Sequence, residues 1–315
     1  MLRLGYCCIN TELRKQGVYC SRTLIKRTFS RKQASEKALD NVKDLLTILK
    51  WNAHHNVKSF RISSDLFPRM TCKEHAYTFE QLPNHEEIAS VLKECGQYAK
   101  KTDQQLSFHP GPFTTLASPN PNAVEGGIRE VEMHSLFCDL LDPDMDIPIN
   151  FHIGGSYKQT YEETAKRFIN VYENRLSDSA KKRICIENDD KDSCWSTQRL
   201  YNFIHKKTGI PLCFDLHHWL FCHDDATMEE DFKLAQSTWG DRSMQVHYSE
   251  SKNPDKLIRA HSYTYKNLIP EWVKGNIHIH FEAKGKEQAL FDYMELSQGK
   301  HNNQIGGNET RTSKE

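Results

Sequence analysis

RICIE (183–187), PLCFD (211–215), SMQVH (243–247) and NIHIHFE (276–282) are short apolar runs that each end on a histidine or an acid. Runs of this length, rich in Ile, Val, Phe and Cys and bounded by polar or turn-forming residues, read as strands buried on both faces. The same pattern extends upstream through IPINFHI (147–153), LSFH (106–109), KSFRIS (58–63) and LRLGY (2–6). Between the runs lie amphipathic stretches such as ASEKALDNVKDLLTILKWNAHH and HEEIASVLKECGQYAKK. In the second, Ile88, Val91, Leu92 and Cys95 recur at helical spacing, and Asn84 is placed to cap its start. Eight strands, each followed by a helical pattern, predict an α/β fold of one domain, a parallel (β/α)₈ barrel over residues 1–295. A doubly wound open sheet is the alternative, but no Gly-rich phosphate fingerprint follows the first strand. The tail from about Ser297, SQGKHNNQIGGNETRTSKE, is polar and rich in Gly and Asn, and reads as disordered over 296–315.

Composition narrows the class. Of 315 residues, 37% are apolar, enough for a sizeable core. No apolar run approaches the roughly 18 residues of a membrane span, and MLRLGYCCIN lacks the apolar stretch of a signal peptide. A soluble, intracellular monomer is expected. The ten cysteines are scattered, with no C-x-x-C pair, and several sit inside strands, so they read as buried free thiols of a reducing compartment. The 42 basic and 42 acidic residues cancel, leaving no global signature of nucleic-acid binding. Residues 11–37 differ, with eight basic side chains against Glu12 and Glu36, net +6. That stretch, with Arg22, Arg27 and Arg31, fits phosphate contact or a solvated loop leading into a helix.

Barrel chemistry sits at the C-terminal ends of the strands. His109 ends the third strand, and His152 lies near the end of the fourth. Glu187, Asp215, His247 and Glu282 end the fifth to eighth, with His218 three residues past Asp215 and His261 in the next helical stretch. Any one of these has an ordinary explanation: a lone histidine is usually a hydrogen-bonded structural residue, and a single acid at a strand end caps a helix. Six consecutive strand ends bearing His, His, Glu, Asp, His and Glu would cost several kcal/mol in desolvation and repulsion without a cation. Mixed imidazole and carboxylate donors suit Mn²⁺, Zn²⁺ or Fe²⁺ rather than a closed structural zinc. Two or three ions, with Glu187 as a bridge, are expected. The remaining histidines read as structural, with His217 unassigned between the two roles. A nuclease, a sugar isomerase or epimerase and a lesion-binding module with a structural metal all fit this rim; the basic 11–37 segment favours a nucleic acid over a sugar.

The motifs LGYCCIN, FRISSDLFP, LSFHPG, FHIGG, ICIENDD, CFDLHH, QVHYSE, AHSY and FEAKGKEQA, in this order over residues 1–295, resemble the UV damage endonuclease family. The resemblance implies a cousin of the endonuclease IV and xylose isomerase barrels that uses a cluster of divalent ions, usually Mn²⁺ (with Zn²⁺ or Mg²⁺ as alternatives). It implies incision of damaged double-stranded DNA immediately 5′ to pyrimidine dimers, 6-4 photoproducts and other distorting lesions; an abasic-site endonuclease is the nearest competitor. Matching positions nominate His109, His152, Glu187, Asp215, His218, His247, His261 and Glu282 as ligands. Glu187, Glu282, His109 and His247 are the expected catalytic set. Tyr6 and Asn10 match residues of the lesion-facing rim, and Lys284 and Lys286 could meet phosphate. Two departures stand out. Pro112 and Phe113 occupy positions where relatives often carry a probing Gln-Tyr pair, so only Phe113 is left to stack or wedge. Gln245 stands where relatives commonly carry a lysine believed to be carboxylated near the metals.

Overall fold

The computed structural model describes residues 2–253 and 255–306. Eight parallel strands close into a barrel in sequence order: β1 (Leu2–Cys7), β2 (Ser59–Ile62), β3 (Gln105–Phe108), β4 (Ile149–Phe151), β5 (Ile184–Glu187), β6 (Leu212–Asp215), β7 (Met244–Tyr248) and β8 (Ile277–Phe281). Closure is made by β1 on β8, in register from Leu2 opposite Ile277 to Tyr6 opposite Phe281. Gly5 permits the approach of β1 to β2, because a Cβ there would lie 1.7 Å from the Ser59 carbonyl oxygen.

Helices cover the outside. α1 (Thr11–Lys15) and α2 (Arg31–His54) follow β1, α3 (His85–Lys101) follows β2, and α4 (Pro121–Leu141) follows β3. α5 (Tyr161–Arg175) and α6 (Asp178–Lys181) lead to β5, α7 (Thr197–Leu200) and α8 (Lys206–Thr208) to β6, and α9 (Leu216–Trp219) and α10 (Met228–Ser237) to β7. Their starts are set locally: Thr160 and Thr227 form reciprocal capping boxes with Glu163 and Glu230, and Ser30 accepts from the Gln33 amide. Asn84 occupies the cap position of α3, but its side chain makes no capping hydrogen bond, contrary to expectation.

Two further expectations need correction. Residues 249–276, between β7 and β8, form no helix among the described residues; the segment folds back as an extended loop with a bridge between Ser251 and His261. The tail expected to be disordered is instead helical as far as Gly306, within α11 (Lys286–Gly306). Positions 307–315 lie outside the described residues.

The barrel interior is less apolar than a parallel barrel usually is. Beneath the rim, Ser59 and Ser107 hydroxyls lie 2.8 and 3.4 Å from His280 Nε2, Cys185 approaches Asn150, and Gln245 approaches His247. Lower still, His278 Nδ1 lies 3.1 Å from Ser243 Oγ. The apolar core sits between strands and helices, where Phe60, Phe108, Phe151, Phe214 and Phe281 are buried.

Candidate metal centre

Glu187, the last residue of β5, is the hub of the rim. Its Oε1 lies 3.1 Å from His247 Nδ1, 3.3 Å from His218 Nδ1 and 3.9 Å from His152 Nε2, while Oε2 lies 3.3 Å from His109 Nε2. Among the described residues, four donor sets each gather their ligand atoms within 4.8 Å of one another: His109, His152 and Glu187; Glu187, Asp215 and His218; Asp215, His247 and Glu282; and Glu187, Cys213 and His247. Glu187 belongs to three of them. Seven of the eight nominated ligands thus converge. The eighth, His261, stands at the edge, its Nδ1 3.9 Å from Glu282 Oε2 and 3.2 Å from the Glu282 carbonyl oxygen. It arrives from the extended loop after β7 rather than from a helix.

Asp215 shows how local structure and site are coupled. Its Oδ1 accepts the amides of His217 and His218 at 2.7 and 2.8 Å, capping α9 and so fixing where His218 points. Its Oδ2 is buried without a hydrogen-bond partner and faces the cluster, 3.7 Å from His218 Nδ1. A buried carboxylate oxygen left without a donor is what a cation would satisfy. The imidazoles are aimed in the same way: His109 Nδ1 meets the Pro110 carbonyl at 3.0 Å, leaving Nε2 towards Glu187.

Electrostatics describe a site waiting for positive charge. Burial opposes ionisation of Glu187, but His247, His152, His109 and His218 together hold its carboxyl well below the usual range. Glu282 is likewise buried and held low by Arg61 and His247. Burial disfavours charge on His218 and His247 too, yet Asp215 and Glu187 raise the first well above its ordinary value, and Glu187 and Glu282 raise the second. Without a metal, protonated His218 and His247 balance the carboxylates; a divalent ion would do the same with the imidazoles neutral. Cys213 brings sulfur close to the centre, but burial, with Glu187 nearby, keeps it a neutral thiol, so the remaining donors are imidazole nitrogen and carboxylate oxygen.

Two functional neighbours escaped the sequence reading. Asp189 Oδ1 lies 3.4 Å from His152 Nδ1 without making a hydrogen bond to it, while Nε2 of the same ring faces Glu187. Arg61, from the inward face of β2, is ion-paired with Glu282. The signals were present: Asp189 lies in ENDD two residues past Glu187, and Arg61 alternates inward with Ser59. His217 resolves as structural, its Nε2 3.1 Å from the Ile258 carbonyl.

The expected DNA-facing residues divide. Phe113 is 89% exposed on the loop after β3, and Pro112 beside it is exposed. A cavity of about 250 Å³ opens next to this loop, between His109, Pro112, His152, Gly154 and Asp189. Arg27, Arg31 and Lys284 are exposed, and Lys286 is partly buried. Tyr6 and Asn10, by contrast, do not reach the rim. Strand alternation turns Tyr6 outward, where it is fully buried, packs on Phe60 and donates to Asn52 Oδ1 at 2.7 Å. Asn10 donates to the Tyr6 hydroxyl and caps α1 by accepting from Leu13, so neither side chain is free for a lesion. Arg22 is also committed: it pairs with Asp44 at 2.7 Å, stacks over Tyr19 and donates to the Tyr19 and Gly17 carbonyls.

No helix among the described residues is long and apolar enough to cross a membrane. The profile of the family described as UV-endonuclease UvdE matches residues 2–311. A UV-damage endonuclease of Schizosaccharomyces pombe is 33% identical over 92% of this chain and 50% of its own length. A UV DNA damage endonuclease of Clostridium perfringens is 31% identical over 79% of this chain and 58% of its own length. The chain thus spans about half the length of these curated relatives. The crystal structure of SacUVDE superposes with a TM-score of 0.82 at 26% identity, covering 96% of this chain and 99% of that one. D-psicose 3-epimerase of Clostridium cellulolyticum, at a TM-score of 0.52 and 12% identity, shares the barrel alone. With the profile matched across nearly all of its length, the chain belongs to the UV-endonuclease UvdE family.

Proposed function

We propose that this chain is a metal-dependent DNA repair endonuclease that nicks duplex DNA immediately 5′ to UV photoproducts and leaves a 3′-hydroxyl. The observation that carries this reading is Glu187, one buried carboxylate shared by three donor sets at an open barrel rim. Glu187, together with Asp215, His218, His109, His152, His247, His261 and Glu282, would hold two or three divalent ions. Their nitrogen and oxygen character suits Mn²⁺, with Zn²⁺ or Mg²⁺ as alternatives. When bound, such ions supply Lewis acidity to the phosphate and lower the pKa of an attacking water.

The protein's own residues do the rest. Capping of α9 by Asp215, with the Asn188 carbonyl against Nδ1, fixes His218, and the Pro110 carbonyl holds His109, so these donors are set before DNA arrives. Exposed Phe113 lies between Pro112 and Thr114, which line the rim cavity, and from this loop an aromatic ring can fill the space of nucleotides that leave the stack. Arg27, Arg31 at the start of α2 and Lys284 past β8 are exposed and suited to phosphate. The partner is damaged double-stranded DNA, and the protein acts as a monomer. Incubation with UV-irradiated, abasic and intact duplexes in Mn²⁺, with breaks mapped on both strands, tests the reading. Incision restricted to the irradiated duplex supports it; incision of the abasic duplex alone would reassign the chain to abasic-site repair.

A further inference from the structure

Of the chain's 15 phenylalanines, 12 tyrosines and five tryptophans, two are exposed among the described residues: Phe113 at 89% and Tyr263 at 70%. Both stand on loops at the C-terminal rim of the barrel, Phe113 after β3 and Tyr263 between β7 and β8. In the closed barrel, β7 and β8 are four and three strands away from β3, so the two loops leave the rim on opposite sides of the metal centre.

Tyr263 is held in place by its backbone. The Ser262 amide donates to the Glu250 carbonyl at 2.8 Å, the Lys284 amide to the Ser262 carbonyl at 3.0 Å, and the Gly285 amide to the Tyr263 carbonyl at 2.9 Å. The Ser262 hydroxyl donates to the Thr264 carbonyl at 2.7 Å. The loop is thereby stitched to the segment that follows β8. Gly285 makes the fit possible, because a Cβ there would lie 2.6 Å from the Tyr263 carbonyl oxygen and 3.2 Å from its ring Cε1. One edge of the ring thus rests on bare backbone while the rest faces solvent. Among the described residues its hydroxyl has no hydrogen-bond partner and its ring no aromatic partner. A single exposed aromatic ring is ordinary; one that is fixed by four hydrogen bonds around it and packs on no other ring is available to a ligand.

Its neighbours indicate which ligand. His261, two residues earlier, is the outermost of the nominated metal ligands, and Lys284, bonded through its amide to Ser262, is exposed. A DNA strand whose phosphate meets the ions beside His261 and Glu282 comes up alongside this ring and this ammonium. Stacking on an aromatic ring is tolerant of sequence, since every base has a π-face, and that suits a nucleotide next to a lesion, where any base can stand. Phe113 is assigned to the lesion, on the 3′ side of the cut. We propose that Tyr263 stacks on the nucleotide immediately 5′ to the cut and holds the strand on the side of the metal ions away from the photoproduct. This rests on the proposed function and adds a substrate contact to it.

The test is a cycle between ring and base. Dissociation constants are measured for the Mn²⁺-loaded protein on a dimer-containing duplex whose scissile phosphate is a methylphosphonate, which blocks incision. The nucleotide 5′ to that position carries either its base or an abasic analogue. Tyr263→Ala is expected to weaken binding about 5- to 100-fold when the base is present and to have no effect when it is absent, because the two losses are then the same loss. Tyr263→Phe, which keeps the ring, should bind as wild type. Melting temperature and Mn²⁺ affinity should match wild type in both variants. Equal weakening with and without the base, wild-type binding by Tyr263→Ala, or Tyr263→Phe as weak as Tyr263→Ala would overturn the inference. Loss of Mn²⁺ affinity in Tyr263→Ala would also overturn it, since the residue would then act by supporting His261. If wild type binds and cuts an abasic duplex and not the dimer duplex, the proposed function fails, and the same cycle run around that cut still decides the role of Tyr263.

Discussion

Glu187 Oε1 stands 3.3 Å from Nδ1 of His218, whose backbone amide is accepted by Asp215 and whose Nδ1 meets the Asn188 carbonyl oxygen at 3.0 Å. Three carboxylates and their histidines therefore meet through backbone-anchored geometry rather than through flexible side chains. The electrostatic balance of this group is the basis of the first prediction.

Removing the ions should expose that balance. In chelator the protein should stay folded, because protonated His218 and His247 offset Glu187 and Glu282. Adding Mn²⁺ at 100 times its dissociation constant should stabilise the fold by about 2.7 kcal/mol per occupied site. Thermal melts with and without metal provide the check; an unchanged melting temperature across the titration contradicts a metal centre here.

Phe113→Ala should weaken binding to irradiated duplex about 5- to 100-fold, since stacking on a base contributes about 1–3 kcal/mol, and leave binding to intact duplex unchanged. Its 89% exposure predicts no loss of melting temperature. Equal weakening on both duplexes would make the ring a general contact rather than a lesion probe.

The basic segment should separate into two behaviours. Arg27→Ala and Arg31→Ala should weaken damaged and intact duplex alike and flatten the salt dependence by about one unit per lost phosphate contact. Arg22→Ala should act on the fold instead, because its guanidinium is tied to Asp44 and two carbonyls. A melting temperature equal to wild type for Arg22→Ala, with DNA affinity lost, would reverse that assignment.

Acid should destabilise the protein through buried neutral histidines. Burial pushes His134 down to about 4 and His278 to about 3, against about 6.5 in the unfolded chain. The unfolded state therefore binds protons first, and this stability is complete above about pH 6.5 and lost as pH falls towards those values. In chelator, His134→Gln should reduce the slope of unfolding free energy against pH, between about pH 6 and 5, by about 1.4 kcal/mol per unit. An unaltered slope would show that His134 titrates alike in both states.

Much of this was legible because barrel strands are short apolar runs and their last residues carry the chemistry. RICIE and PLCFD announce both a strand and a ligand, and β5 and β6 deliver Glu187 and Asp215 to one point. What the sequence hides is the direction of side chains fixed by partners far along the chain. Tyr6 precedes the rim in sequence, yet alternation turns it onto Asn52 of α2. His261 comes from a loop that periodicity assigned to a helix, because the fold-back onto Ser251 leaves no local signature. Asn150, Cys185 and Gln245 look like interruptions of apolar strands until the closed barrel brings them into one line. Polar composition argued for a disordered tail, although α11 continues to Gly306.

The central claim is that metal ions gathered on Glu187 drive incision beside a photoproduct. Its most direct test is a duplex carrying one cyclobutane dimer, treated in Mn²⁺ with wild type and with Glu187→Gln, with metal content counted and the ends of the break sequenced. The account predicts two or three ions and a nick immediately 5′ to the dimer with a 3′-hydroxyl for wild type. Glu187→Gln should lose bound metal and at least about 100-fold in rate, as expected when about 2.7 kcal/mol or more of transition-state stabilisation is removed. Wild-type metal content and rate in Glu187→Gln, or no incision by metal-loaded wild type, would contradict it.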